Sequence, residues 1–287
     1  MRIALFTNLD LHSNLAINFL IPELVNHEVK LFLSEKVGSA VPVIPPLQFL
    51  DYLERKFLIN HLFPHLERNP KSEFLTFRQI DAKYNTGSTF IKDINDPDFL
   101  EKLFVFAPDL FLVIRFGRIF KGKILAIPKK GIINLHSAIL PDFKGVMGTF
   151  RALLSGASHV GATLHYIQDD NIDTGDVIDV IKMKKNTEKS VLWHIAHLYP
   201  IACEKLREVV SEISHQDKIQ SSQQAIGGSY FSFPRQSEFD ALRHQSIKLF
   251  SQIEYADMLG EFYQVEKNWV LETIRKDNEA SQLPEEF

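Results

Sequence analysis

The sequence predicts an α/β fold: a mostly parallel sheet flanked by helices over residues 1–185, and a smaller appendage of helices and a short hairpin over 186–287. Three observations predict it. The chain opens on an apolar strand, an amphipathic helix and a second strand, the β-α-β order that builds parallel sheets. Residues 108–114 (Pro-Asp-Leu-Phe-Leu-Val-Ile) form an unbroken apolar run, the mark of a strand covered on both faces. Beyond Lys185 the alternation of strand and loop gives way to long helical spacings.

Residues 2–8 are the first strand. Leu15, Phe19, Leu20 and Leu24 follow at helical spacing, with Ser13 as the N-cap. Residues 27–33 alternate and form the second strand. No Gly-x-Gly-x-x-Gly lies in this unit, so the usual dinucleotide fingerprint is missing. Residues 39–46 are a Pro-rich connection. Residues 47–66 carry Leu and Phe at helical spacing that Pro64 interrupts. A short strand at 75–80 and a helix at 97–104 precede the central strand. Residues 116–120 then form a loop and 132–135 another strand. A helix at 147–154 ends near Gly156. Strands at 162–167 and 177–183 enclose a polar loop. The pattern at 190–213 is helical with a break at Pro200, and 219–233 turns back as a hairpin around Gly227 and Gly228. Residues 238–274 are helices with apolar stripes at Phe239, Leu242, Ile247 and Phe250.

At 287 residues, 45% hydrophobic and 24% charged, the chain has ordinary globular composition and buries a substantial core. Its single cysteine, Cys203, excludes an internal disulfide and sits among apolar neighbours as a buried thiol. The opening apolar run is too short for a signal peptide, and no stretch of about 20 apolar residues is present. The chain therefore reads as soluble and cytoplasmic, with no membrane partner. Net charge is −4. From residue 186 onward 10 Lys and Arg stand against 16 Asp and Glu, a balance of −6. An acidic final third is a poor surface for a phosphate backbone.

The chemistry concentrates in residues 131–180. Asn134 and His136 end an apolar run, one residue apart. In a strand, positions i and i+2 face the same way, so an amide and an imidazole point together toward a loop marked by Pro141 and Gly145. A second polar loop, 168–173, contributes Asp173. Amide, imidazole and carboxylate are the parts of an acyl-transfer site. Each has a structural alternative. Asn134 suits a turn-backbone bond, His136 a satisfied core histidine, and Asp173 before Thr174 and Gly175 a shaped turn.

Asn134-x-His136, then Leu140-Pro141 and Gly145, with Asp173-Thr174-Gly175 downstream, resembles the folate-dependent formyltransferases. That family includes methionyl-tRNA formyltransferase, glycinamide ribonucleotide transformylase and the sugar N-formyltransferases. The resemblance implies a Rossmann-like sheet, 10-formyltetrahydrofolate as co-substrate, no metal, and an amine as acceptor. It implies that Asn134 donates to the formyl oxygen, that His136 as imidazolium stabilises the oxyanion, and that Asp173 orients His136 and helps remove the amine proton. It places the pterin between Arg118 and Phe120 on one side and Gln168, Asp169, Asp170 and Ile172 on the other, largely through backbone groups. Ser137, Lys144 and Gly145 fall beside the acceptor. Phe120 also suits core packing, Arg118 a solvated loop charge, and His165 a structural place in its strand.

The chain departs from the family pattern at two places, of which Asp142 bears on the acceptor. Ser137-Ala138 inverts the usual order after the histidine, and Asp142 stands where many tRNA-acting members carry a basic residue. With the acidic final third, this favours a small amine, a nucleotide-linked amino sugar first, over nucleic acid. Methionyl-tRNA or glycinamide ribonucleotide formylation, hydrolysis of the formyl donor, and folate or nucleotide binding without turnover are the alternatives. The acceptor's identity, the role of the appendage and the oligomeric state stay open, with a homodimer as the family analogy.

Overall fold

The structure is a computed structural model that describes residues 1–35, 44–69, 71–216, 219–277 and 283–287. Most of the predicted connection at 39–46 lies outside the described residues. In chain order the elements are β1 (Arg2–Asn8), α1 (Leu11–Leu20), β2 (Glu28–Ser34), α2 (Pro45–Asp51), α3 (Phe63–Arg68), α4 (Phe77–Tyr84), β3 (Thr89–Phe90), α5 (Pro97–Phe106), β4 (Leu110–Ile114), β5 (Ile132–His136), β6 (Phe143–Gly145), α6 (Gly148–Leu154), β7 (His159–Tyr166), β8 (Val177–Lys184), α7 (Val191–His215), β9 (Ser229–Phe231), α8 (Gln236–His244), α9 (Gln252–Tyr263) and α10 (Lys267–Lys276).

Seven strands form one sheet in the order β3-β2-β1-β4-β5-β7-β8. The pairs from β3 to β5 are parallel; β5–β7 and β7–β8 are antiparallel. The chain winds outward from β1 to β3, returns beside β1 as β4, and winds the other way. Such a reversal opens a crevice at the carboxyl ends of the strands, and β5 delivers Asn134 and His136 to that edge. Every residue of β4 is buried, as its apolar run requires.

Several local elements differ from the sequence expectation. Asp10, not Ser13, caps α1: its carboxylate accepts the Ser13 N–H at 2.8 Å. The strand expected at 75–80 is the start of α4. Thr76 and Gln79 form a capping box, each side chain accepting the other's backbone N–H, and Phe77 and Ile80 bury one helical face. Pro64 does not break the 47–66 helix. Wide turns at Tyr52–Lys56 and Leu58–Leu62 lead into it, with the Phe63 N–H reaching the Leu58 carbonyl five residues back, so the helix widens rather than breaks at the proline. Pro200 lies inside an unbroken α7. A helical proline costs roughly 3 kcal/mol, but α7 buries Leu198, Tyr199, Ala202, Cys203 and Leu206 around it, each apolar side chain worth about 1.5–3 kcal/mol. Ile247 and Phe250 lie in the connection between α8 and α9 rather than on a helix. No hairpin forms at Gly227 and Gly228; β9 pairs instead with β6, in parallel.

One core cluster runs from Ile3 to Ile274 across both faces of the expected division at 185/186. Helix α7 packs on α1. Tyr263 Oη donates to Asn14 at 2.8 Å and Tyr255 Oη to the Leu53 carbonyl at 2.8 Å. Cys203 is buried against α1, with its thiol pushed up by burial. Among the described residues no helix is long and apolar enough to cross a membrane.

Candidate active site

Two loops and one strand end build the site. Beyond His136 the chain turns through a cis Leu140-Pro141 bond. Thr163, buried on β7, fixes that turn: its hydroxyl donates to Ala138 O at 2.7 Å and accepts the Leu140 N–H at 3.0 Å. The loop then passes Gly145 at φ +93°, where a Cβ would overlap Phe231 O. Only glycine tolerates both the angle and the approach.

The second loop joins β7 to β8. Asp173 sits there at φ 55°, in the left-handed region. Gly175, two residues on, has no room for a Cβ because Tyr166 O occupies the space. The result aims Asp173 back at β5. Its Oδ2 lies 3.6 Å from His136 Nδ1 and accepts the Gly145 N–H at 2.8 Å. Its Oδ1 lies 3.4 Å from Asn134 Nδ2 and 3.4 Å from His165 Nε2.

His136 and Asp173 are each 9% exposed. Burial pushes the Asp173 carboxyl up, but the charges of His136 and His165, hydrogen bonding to His165 and the Gly145 N–H together bring it down to about 2. Asp173 is therefore an anion at any working pH. The other ring nitrogen of His136, Nε2, lies 2.8 Å from Phe143 O. Both ring nitrogens thus face acceptors, Nε2 at hydrogen-bond distance and Nδ1 farther off.

His165 pairs directly across from Asn134 in the sheet. Its Nδ1 lies 2.9 Å from Tyr166 O, and its Nε2 faces both Asn134 Nδ2 at 3.0 Å and Asp173 Oδ1 at 3.4 Å. The ring thus packs its Nε2 edge against the Asn134 amide and the Asp173 carboxylate. His165 was expected to be structural; it is buried and also a member of the site. The signal was its two-residue spacing from Thr163 on a strand beside β5.

The remaining predicted residues divide. Ser137 and Lys144 lie on the first loop: Ser137 O accepts the Thr149 hydroxyl at 3.2 Å, and Lys144 Nζ donates to Gly227 O at 3.2 Å. Gln168 and Asp176 bond reciprocally and close the second loop, while Asp169 accepts from Asn171 at 2.9 Å. Asp170 is exposed and Ile172 half-buried. Arg118 lies in the loop after β4, its Nε buried without a hydrogen-bond partner. For Phe120, whose expected part ran through backbone groups, the side chain takes the core-packing alternative. Its side chain is 2% exposed in an aromatic cluster, edge-on to Phe6 at 5.2 Å and beside Phe111 and Phe116. The apolar demand of that second core takes the ring away from any ligand. Sequence reasoning also passed over Gln224, whose side chain reaches the Asp173 loop. Among the described residues no group of His, Cys, Asp and Glu is spaced to hold a metal ion.

Amide, imidazole and carboxylate therefore converge at the carboxyl edge of the sheet, with donors to place on a developing oxyanion. Residues 78–191, which contain this set, match the family model described as formyl transferase. Methionyl-tRNA formyltransferase of Moorella thermoacetica is 37% identical over 86 residues, 30% of this chain and 27% of that protein. The match thus spans little more than a quarter of that relative. Phosphoribosylglycinamide formyltransferase of Streptococcus pneumoniae TIGR4 superposes with a TM-score of 0.51 at 17% identity, over 74% of this chain and 98% of its own. An N-formyltransferase from Helicobacter canadensis, solved with folinic acid and dTDP-3-aminofucose, gives a TM-score of 0.51 at 16% identity, over 81% of this chain and 71% of its own. The likeness to these structures is one of fold.

Proposed function

We propose that this chain, with its formyl transferase stretch at 78–191, is an N-formyltransferase that moves a formyl group from 10-formyltetrahydrofolate to a small-molecule amine, a nucleotide-linked amino sugar first. The convergence of Asn134, His136 and Asp173 carries the reading. An amine attacking a formamide carbon creates an oxyanion and an ammonium. Asn134 Nδ2 and a ring N–H of His136 supply donors to the oxyanion, each such donor worth about 2.7–4 kcal/mol. The His136 Nε2–H now given to Phe143 O passes to the oxyanion as charge develops. Asp173 holds the imidazolium and takes up the ammonium proton through water. The carbon–nitrogen bond to the donor then breaks, and the electron pair left on the donor nitrogen is protonated.

The donor fits the residues present. Arg118 keeps a buried, unpartnered Nε–H, which asks for an acceptor such as a folate carbonyl or carboxylate. The loop containing Gln168, Asp169, Asp170 and Ile172 presents backbone groups on the other side. A structure of the same fold was solved with folinic acid, which supports a folate as donor. The catalytic apparatus falls within 1–185, and 186–287 supports it.

For the acceptor, Tyr230 is 59% exposed, and its ring edge lies 3.0 Å from where a Cβ on Gly145 would stand. An aromatic face beside the catalytic loop suits a nucleobase or sugar ring. Sequence likeness to methionyl-tRNA formyltransferases favours charged tRNA as a second reading. The −6 balance after Lys185 disfavours it. Incubation with 10-formyltetrahydrofolate and a panel of nucleotide-linked amino sugars tests the proposal: an N-formyl product that disappears with His136→Ala supports it, and product with formylatable tRNA alone moves it to the second reading.

A further inference from the structure

Asp173 holds a left-handed backbone angle that a non-glycine residue adopts only when its surroundings impose it. What imposes it lies outside the second loop. Gln224 Nε2 donates to Asp173 O at 2.9 Å and to Gly175 O at 2.8 Å. One amide thus closes the turn Asp173-Thr174-Gly175 from outside. The orientation is unambiguous: turning the amide would set Oε1 against two carbonyl oxygens. Oε1 is buried with no partner, an unfavourable arrangement that both Nε2 bonds offset.

The segment that carries Gln224 is tied to both catalytic loops. At one end Ser222 and Val177 exchange backbone bonds at 2.8 Å. At the other, β9 pairs with β6, and Phe231 O accepts the Val146 N–H at 2.9 Å. Gly228 packs against Pro141 O so closely that a Cβ would overlap it. Arg151 donates to Ser232 O at 3.0 Å and pairs with Glu238. Residues 222–232 therefore strap the loop that supplies the Gly145 N–H to the loop that supplies the Asp173 carboxylate.

We propose that Gln224 is a positioning residue for transfer: through the strap it holds the Asp173 backbone so that the carboxylate meets His136 and Gly145 together. This rests on the formyl-transfer reading for its effect on turnover, but not for its effect on geometry. Without the two donated bonds the turn relaxes, Oδ2 leaves the Gly145 N–H, and His136 loses its partner.

The test compares wild type with Gln224→Met, which keeps length and loses the donors, and Gln224→Lys, which restores a donor. The Gly145 amide is followed by NMR and hydrogen exchange. In Gln224→Met its resonance moves upfield and its exchange quickens about tenfold, the loss of one hydrogen bond; Gln224→Lys recovers both. In turnover, Gln224→Met lowers kcat by about 10- to 100-fold, the scale of a displaced catalytic group, while KM for donor and amine stays within about twofold. A Gly145 amide unchanged in Gln224→Met, or a loss of kcat that Gln224→Lys does not repair, overturns the proposal. A wild-type chain that transfers no formyl group sinks the formyl-transfer reading alone; the Gly145 amide then decides the role of Gln224.

Discussion

Asp173 Oδ2 lies 3.6 Å from His136 Nδ1 while it accepts the Gly145 N–H. One carboxylate oxygen thus serves the imidazole and the loop that follows it. Asp173→Asn keeps the shape and removes the charge. The expected result is a kcat lower by about 10²- to 10⁴-fold, the range of a displaced acid–base function, measured by initial rates of N-formyl product.

The same carboxylate contributes to stability with a defined pH dependence. Its pKa is depressed from 3.8 to about 2 in the fold. A depressed acid stabilises above its unfolded pKa and loses that contribution as pH falls through the folded value. The gain is on the order of 2 kcal/mol. Urea unfolding of wild type and Asp173→Asn checks it: the difference shrinks as pH falls from about pH 4 to pH 2.

Thr163 is the hinge pin of the first loop. Thr163→Val leaves the Leu140 N–H and Ala138 O buried without their partner. Each orphaned group costs about 1–3 kcal/mol. Thermal unfolding should show a clear loss of stability, with unchanged stability counting against the role.

Gly145→Ala meets two penalties, a positive φ and overlap with Phe231 O. The loop must shift, and the N–H leaves Asp173. A loss of at least about 1 kcal/mol in unfolding free energy is expected, together with lower kcat in the same preparation.

Arg118→Ala removes the buried, unpartnered Nε–H. If that group receives a folate acceptor, KM for the donor rises by about tenfold or more, as for a charged hydrogen bond, with kcat nearly kept. Titration of the donor against both proteins measures it.

The placing of Asn134 beside His136 was legible because strand periodicity is strict. Asn134 and His136 share a face wherever 132–136 is a strand, and the apolar run at 108–114 could only be central. Elements decided by tertiary packing were not legible. Residues 75–80 carry too few positions to separate periods of two and 3.6, and the Thr76–Gln79 box tips them to helix. Pro200 signals a break that burial along α7 overrides. Gly227 and Gly228 take positive φ but close no hairpin, because the partner of β9 is β6, distant in sequence. Gln224 acts on backbone carbonyls, and such a bond leaves no pattern in residue types. Phe120 shows the converse: an aromatic near a site loop was claimed by the core.

Asn134, His136 and Asp173 are proposed to move a formyl group to an amine. The most direct measurement is single-turnover transfer from 10-formyltetrahydrofolate to a nucleotide-linked amino sugar, followed by mass spectrometry of the sugar. N-formyl sugar is expected with wild type, and a rate lower by about 10²- to 10³-fold with Asn134→Ala, the cost of one oxyanion donor. Formyl donor consumed equally with and without any amine, or a rate unchanged by Asn134→Ala, contradicts the proposal.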